Sequence, residues 1–204
     1  MKKKLTPRLA LIIIAALFFL PIVLAWLMYT GAIEFQPQAT RNMGRLVRPP
    51  LPIDWAGVRR DGDASGPVAE GFAGHWLVLH AVPRLCREDC LRDIAELRQV
   101  HLAAGRQQTR LRLALLHDLD DPASARAIQD IYPKFQLLEN PDGSLWRTLE
   151  SVARNSVPPA SARGSTYLVD PLGNIMLFYA PGSDPNDLSK DLKRLLTWSK
   201  LDEQ

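Results

Sequence analysis

Apolar and polar residues alternate in blocks along the chain, and the first apolar block is the longest. Residues Leu9–Tyr29 contain no charged side chain, and 21 residues of helix are enough to cross a hydrocarbon core of about 30 Å. Lysines at positions 2–4 and Arg8 precede the block, and Trp26 lies near its end, where interfacial aromatic residues are common. The pattern predicts a basic cytoplasmic tip and one transmembrane anchor over residues 1–30.

A cleaved signal peptide is the alternative to an anchor for this segment. The apolar part of a signal peptide usually has about 7–15 residues and ends at a small-residue cleavage site, whereas this run is longer and ends in bulky residues. Basic residues flank the run on both sides, but the lysine cluster abuts it and large domains translocate largely regardless of charge. We therefore expect a single-pass protein of the inner (cytoplasmic) membrane, with its C-terminal domain in the periplasm.

The apolar block is followed by a change in composition. Residues 31–50 contain two glycines, three prolines and few apolar side chains, which predicts a tether. Residues 51–204 then form the folded domain. As far as residue 75 its pattern predicts short strands broken by turns, with Asp61-Gly62 as a candidate hairpin turn.

From Trp76 onwards the pattern predicts alternating strands and helices. Trp76–Val82 and Leu111–His117 are continuous apolar runs of strand length, as in strands buried on both faces of a parallel sheet. Helical spacing follows each run, first from Leu91 to Leu102 and then after Pro122. We expect Asp120 or Asp121 to cap the second of these helices.

The end of the chain predicts a hairpin and a closing helix. Residues 165–180 form two apolar runs around a Pro-Leu-Gly-Asn turn, and residues 183–200 are amphipathic at helical spacing with Asp184 as cap. The element order is therefore strand, helix, strand, helix, hairpin, helix. This order predicts an α/β domain with a thioredoxin-like fold, in which helices flank a central mixed sheet.

The candidate chemistry lies between the first core strand and its helix. Cys86 and Cys90 are the two cysteines of the chain, and a helix N-terminus favours thiolate over thiol. Four positions apart, both sulfurs should face the same side and be reachable from solvent. The pair permits disulfide exchange or the binding of a soft ion such as Cu(I) or Zn²⁺. A static disulfide is the alternative, although so short a loop gains little from cross-linking.

Histidines are the candidates for completing a metal site. His117 ends the second core strand, at the edge where α/β sheets place their sites, and is the candidate third ligand beside Cys86 and Cys90. A solvated strand-end histidine is the alternative. His80 lies on the first core strand and is expected in the core, and His101 lies on the helix and is expected at the surface.

Composition narrows the class of partner. The chain has 204 residues, of which 47% are hydrophobic and 23% charged, and its net charge is +3. These values suit one packed domain with a short appendage. There is no basic stripe interleaved with aromatic residues, so a nucleic acid is a poor candidate partner. No small-molecule substrate is evident.

The motifs resemble those of the Sco/SenC proteins, which are membrane-anchored thioredoxin-like factors for assembly of cytochrome c oxidase. The resemblance covers residues from about 50 to 198 and rests on "FAGHWLVLHAVPRLCREDC", "HDLDDP" and "TYLVDPLGNI" followed by an amphipathic helix. It implies that Cys86 and Cys90 bind copper, as Cu(I), or exchange disulfides. The implied partner is the copper-bearing subunit of a terminal oxidase.

The chain departs from the family's pattern at the third copper ligand. The family's histidine lies a few residues before the strand that begins near Thr166, where this chain has Ala162 and Arg163. Its absence favours thiol–disulfide exchange or transient Cu(I) handling over stable copper storage, and whether the protein is an enzyme stays open. The alternative is a non-catalytic docking module for a respiratory complex, with a vestigial disulfide. Pro158-Pro159 is a candidate for a cis-proline beside the cysteines.

Overall fold

The computed structural model describes residues 7–30, 42–60, 67–119 and 121–199. The chain divides into two units between Arg41 and Asn42, and each unit is described by itself below. The candidate turn at Asp61-Gly62 and most of the predicted tether lie outside the described residues.

The described residues of the first unit form one helix, α1 (Pro7–Tyr29). The span Leu11–Met28 within it is long and apolar enough to cross a membrane, as the sequence predicted. Length and composition make α1 a candidate membrane span, and a signal sequence would meet the same criterion.

The second unit is built on a seven-stranded mixed sheet with the strand order β1-β7-β6-β3-β4-β5-β2. The strands are β1 (Arg45–Pro52), β2 (Arg59–Arg60), β3 (Trp76–Ala81), β4 (Leu111–His117), β5 (Gln136–Glu139), β6 (Thr166–Val169) and β7 (Asn174–Tyr179). Strands β3, β4 and β5 run parallel, whereas β6 and β7 form the predicted antiparallel hairpin. This is the thioredoxin-like arrangement that the sequence predicted.

Helices cover both faces of the sheet. They are α2 (Glu88–Ala103), α3 (Pro122–Ile131), α4 (Ser144–Asn155) and α5 (Pro185–Trp198). Apolar side chains of α2, α3 and α5 pack on one face, and those of α4 pack on the other with the segment that follows β1. Two predicted caps are confirmed, because Asp121 accepts from the N–H of Ser124 and Asp184 from that of Asn186.

Strand β1 starts inside the segment that the sequence assigned to the tether. It pairs antiparallel with β7, and its prolines are tolerated because β1 is an edge strand. The buried carboxylate of Asp191 holds its start, accepting from the N–H groups of Met43 and Gly44 at 2.8 Å and from the hydroxyl of Tyr179 at 2.9 Å. The folded domain therefore begins near residue 42, earlier than the predicted boundary at residue 51.

The first strand of the domain starts at the end of the sheet that carries the cysteines. Strand β3 ends there at Ala81, β6 begins opposite His80, β7 ends opposite Thr166, and β1 begins opposite Phe178. We call this edge, formed by the end of β3 with the start of β6, the end of β7 and the start of β1, the cysteine edge. Helix α5 starts at the cysteine edge and ends at the opposite end of the strands.

Candidate functional site

Cys86 and Cys90 are joined by a disulfide, with 2.01 Å between the sulfurs and 5.1 Å between the Cα atoms. Cys86 lies in the loop that connects β3 to α2, and Cys90 lies in the first turn of α2. The pair thus stands at a helix N-terminus, where unpaired N–H groups stabilise negative charge on sulfur. This is the position that the sequence predicted.

The two sulfur-bearing residues differ in their exposure. Cys86 is half-buried, whereas Cys90 is only 6% exposed and packs in the core with Ile94 and Leu97. The expectation that both sulfurs are reachable is therefore wrong for Cys90, because positions 90, 94 and 97 form the core-facing stripe of α2. An external thiolate can reach the disulfide from the side of Cys86.

Two arginines meet one carboxylate beside this disulfide. The guanidinium of Arg163 donates to both oxygens of Asp118 at 2.5 and 2.6 Å, and Arg84 Nε donates to the same carboxylate at 2.9 Å. Arg163 also lies 4.2 Å from the ring centroid of Trp146. We call Arg84, Asp118 and Arg163 the arginine cluster. One carboxylate thus holds both guanidinium groups.

The arginine cluster adjoins the cysteine loop through the backbone. Arg84 precedes Cys86 by two residues, and the N–H of Gly164 donates to the carbonyl of Ala81 at 2.7 Å. A Cβ atom on Gly164, whose φ is +80°, would contact Pro83 and a neighbouring proline, so the segment around Gly164 packs closely on the loop. The arginine cluster and the cysteine loop are therefore neighbours in the fold.

The ionisation of Asp118 follows from these contacts. Burial by itself would raise the pKa of this carboxyl, but hydrogen bonds and charge from Arg163 and Arg84 outweigh burial and hold the pKa below its usual value. Asp118 therefore stays ionised at neutral pH and fixes both guanidinium groups. Sequence reasoning missed this role, because Asp118 fits equally well among the acidic residues that precede the cap of α3.

The residues present do not fit a three-ligand copper site. Across the part of the chain that the structure describes, no group of three or more His, Cys, Asp or Glu side chains is placed to hold a metal ion. Arg163, near the position where the family resemblance implied a histidine, is bound to Asp118 and has no lone pair to offer a metal. The donors that remain are the sulfurs of Cys86 and Cys90 once they are reduced.

His117 does not join the cysteines in such a group. Its side chain is 2% exposed, because it lies on the same face of β4 as Leu113 and Leu115, which pack under α2 and α5. Its Nδ1 accepts from the N–H of Leu119 at 3.5 Å. The predicted set of three ligands, Cys86, Cys90 and His117, is therefore not assembled in the structure.

His80 and His101 are both buried. His80 is in the core, as predicted, and its Nδ1 lies 3.0 Å from Thr166 Oγ1. Burial lowers the pKa of His80 to about 4, so its imidazole is neutral at physiological pH. The surface position expected for His101 is wrong, because this residue is 4% exposed and its Nδ1 lies 2.9 Å from the hydroxyl of Tyr132.

The candidate cis-proline is present. The peptide bond between Val157 and Pro158 is cis, and the carbonyl of Pro158 accepts from Arg45, at the start of β1. The segment around Gly164 packs against the cysteine loop.

Comparisons with known proteins agree with this fold. A family model described as "Transmembrane-like, thioredoxin-like, C-terminal domain" matches residues 76–199. Similar solved structures include apo Sco1 from Thermus thermophilus, with 16% identity, a TM-score of 0.53 and coverage of 78% of this chain and 99% of that chain. Yeast Sco1 with copper bound has 11% identity, a TM-score of 0.53 and coverage of 79% and 96%.

A third solved structure comes from a protein named for disulfide exchange. A proposed thiol:disulfide interchange protein DsbE from Chlorobium tepidum has 16% identity, a TM-score of 0.50 and coverage of 71% of this chain and 97% of that chain. A search of curated protein sequences found no significant match. The predicted resemblance to Sco/SenC proteins is thus confirmed, and at these identities the likeness establishes the fold.

Proposed function

The chain belongs to the family of transmembrane-like, thioredoxin-like C-terminal domains, and we propose that it is a membrane-anchored protein that exchanges disulfides through Cys86 and Cys90. One observation carries the proposal: a half-buried Cys86 is bonded to a buried Cys90 at the N-terminus of α2. A disulfide that only stabilised the fold would gain little here, because the loop it closes is so short.

The exposure of the two residues gives each sulfur a separate role. A thiolate of the partner attacks Cys86 Sγ, a mixed disulfide forms, and the electron pair of the broken bond leaves on Cys90 as thiolate. A second partner thiolate then attacks the partner's own sulfur in that mixed disulfide and releases Cys86 as thiolate. The partner loses two electrons and the cysteine pair gains them. In the reverse direction reduced Cys86 attacks and Cys90 resolves.

The surroundings of Cys86 stabilise the charge that each step creates. The unpaired N–H groups at the N-terminus of α2 favour a thiolate at this position. Glu88 and Asp89 in the first turn of α2 oppose them, but Asp89 is paired with Arg92 at 2.5 Å. We therefore expect Cys86 to act as a thiolate, both when it is displaced from a mixed disulfide and when it attacks a disulfide of the partner.

The proposed partner is the copper-bearing subunit of a terminal oxidase, in the periplasm. The shared fold with Sco1 proteins and with a proposed DsbE supports this choice. Cysteines bind a metal only as thiolates, so a subunit whose ligands are oxidised needs a reductant before metal insertion. In this proposal α1 anchors the protein and the tether restricts its search to the membrane plane, which raises the effective concentration of the partner.

Cu(I), where it is handled, is cargo and not a resident cofactor in this proposal. Reduced Cys86 and Cys90 offer two soft thiolates on one helical turn, which suits Cu(I). We expect the reduced full chain to bind one Cu(I) in competition with a chelator, and Cys86→Ser to abolish binding. His117→Ala should leave the affinity unchanged; a large loss of affinity would instead make His117 a ligand.

Trapping experiments test the exchange reaction. Cys90→Ser leaves Cys86 without its resolving partner, so this variant should accumulate a mixed disulfide with the oxidase subunit that reductant removes. The matched variant Cys86→Ser should accumulate far less, because Cys90 is buried. If a chain with both cysteines replaced by serine supported oxidase assembly as well as the wild type, the docking-module alternative would hold and exchange would be ruled out.

A further inference from the structure

A small cleft opens at the cysteine edge between α2 and the start of α5. It encloses about 50 Å³, and among its lining residues are His80 on β3, Thr166 on β6, and Asp93 and Glu96 on α2. We call these four residues the acidic cleft. The space is large enough for a few water molecules or for the end of one side chain.

An unpaired polar atom lies at the base of this cleft. His80 is 2% exposed, and no hydrogen-bond partner for its Nε2 exists among the described residues. Its Nδ1 is engaged with Thr166 Oγ1. His80 lines the cleft, and in the tautomer that donates Nδ1–H to Thr166 its Nε2 is left as an acceptor without a donor. A buried acceptor without a donor is costly, so a ligand that donates a hydrogen bond there is favoured.

The walls of the cleft supply further acceptors. Asp93 and Glu96 are half-buried, and neither forms an ion pair within the described part of the chain. The nearest basic neighbour in sequence, Arg92, is bonded to Asp89 at 2.5 Å. Asp184 at the start of α5 also lines the cleft, which therefore combines three carboxylates with a neutral imidazole and has a net negative charge. The ligand that matches these carboxylates is a cation that donates several hydrogen bonds, as a guanidinium or ammonium group does.

We propose that the acidic cleft binds a lysine or arginine side chain of the polypeptide that exchanges disulfides with Cys86. This inference rests on the proposed function and adds a specificity site to it. Asp93 and Glu96 follow Cys90 by three and six positions on α2, which corresponds to about 5–9 Å of helix rise. An extended peptide covers that distance in about two or three residues, so the basic residue lies two or three positions from the reactive cysteine of the partner.

Paired peptides test this proposal. Each carries one cysteine and, three positions away, either arginine or its neutral analogue citrulline. We expect the oxidised full chain in detergent to form a mixed disulfide about 10-fold faster with the arginine peptide. Rates with a small aromatic disulfide correct for the effect of arginine on the thiol itself. Glu96→Gln should bring the corrected ratio close to one, whereas the matched variant Glu88→Gln, in the first turn of α2 outside the cleft, should keep it.

A probe without cysteine separates this inference from the exchange reaction. N-acetyl-arginine amide should shift the ring ¹⁵N resonances of His80 in the full chain, the citrulline amide should not, and Glu96→Gln should abolish the shift. Absence of the shift would overturn the cleft proposal even where disulfide exchange proceeds. Equal corrected rates for the two peptides, or a ratio that Glu96→Gln does not change, would also overturn it. If the ¹⁵N resonances shift but neither peptide forms a mixed disulfide, the cleft proposal stands and the disulfide-exchange proposal is refuted.

Discussion

Arg163 is the residue whose neighbourhood differs most from what the family resemblance implied. Near the position of an expected metal-binding histidine, the chain has a guanidinium that binds both oxygens of Asp118 and lies over Trp146. A guanidinium has no lone pair with which to bind a metal, so Arg163 cannot take the place of that histidine. At the scale of single residues, Arg163 therefore supports the proposal of disulfide exchange over stable copper storage.

The contribution of Asp118 to the stability of the folded protein should be lost in acid. Its pKa in the folded protein is below the value of 3.8 of an unperturbed aspartate, so its contribution is complete above about pH 4 and is lost as the pH falls through the lower, folded-state value. We expect Asp118→Asn to lower the urea midpoint at pH 7 and to have a smaller effect at pH 3. A difference between variant and wild type that is the same at both pH values would contradict this prediction.

His80 should also make the folded protein less stable in acid, because it is neutral when folded. Its pKa is about 4 in the folded protein and 6.5 when unperturbed, so the unfolded chain binds a proton first as the pH falls below 6.5. The free energy of unfolding should therefore fall by about 3 kcal/mol between pH 7 and pH 4 because of this residue. His80→Gln should lack that part of the pH dependence in chemical unfolding. If the free energy of unfolding had the same pH dependence in the wild type and in this variant, the prediction would be refuted.

At the scale of elements, strong periodicity decided what could be predicted. The strand Leu111–His117 and the caps of α3 and α5 follow the predicted pattern, because an apolar run or a capping aspartate is a local signal. Strand β5 and helix α4 are absent from the predicted order, since β5 has only four residues and α4 begins after a glycine that gives no side-chain cap.

Other features depend on contacts between distant residues. The start of β1 was predicted to be tether because the segment contains prolines. Its position in the sheet depends on Asp191, which is nearly 150 positions away in the chain. The burial of Cys90 follows from the packing of α2 on the sheet, and the position of Arg163 follows from Asp118. The position of the cysteine pair was predictable, because the strand before it and the helix after it are both recognisable in the adjacent sequence.

The start of β1 should depend on Asp191. This carboxylate is 1% exposed and accepts from Met43, Gly44 and Tyr179, so Asp191→Ala leaves three buried donors unpaired. We expect a loss of about 3 kcal/mol or more in the free energy of unfolding and faster hydrogen exchange at Met43 and Gly44.

Asp187→Ala, one turn earlier on α5, is the matched control. Asp187 pairs with the exposed Lys190 at 3.3 Å, and an exposed ion pair contributes little, so this variant should stay close to the wild type. Unchanged exchange at Met43 and Gly44 in Asp191→Ala would show that β1 is held by its pairing with β7 alone.

At the scale of the whole molecule, a candidate membrane span precedes a domain with its own core. We expect the full chain to stay with membranes after an alkaline carbonate wash and to keep the mass of the uncleaved sequence. A chain that starts at residue 42 should be recovered as a folded, monodisperse protein without detergent. A mature protein that lacks residues 1–30 would instead identify α1 as a signal peptide.

The two ends of the folded domain leave from opposite edges of its sheet. Gly44 lies at the cysteine edge, held by Asp191, whereas Ser199 accepts at its carbonyl from Arg110, just before β4 begins at the far edge. A fluorescent reporter or affinity tag fused after the last residue is thus kept clear of the disulfide. The same tag placed where the anchor was removed would crowd incoming polypeptides, and an assay on such a fusion would underestimate the rate.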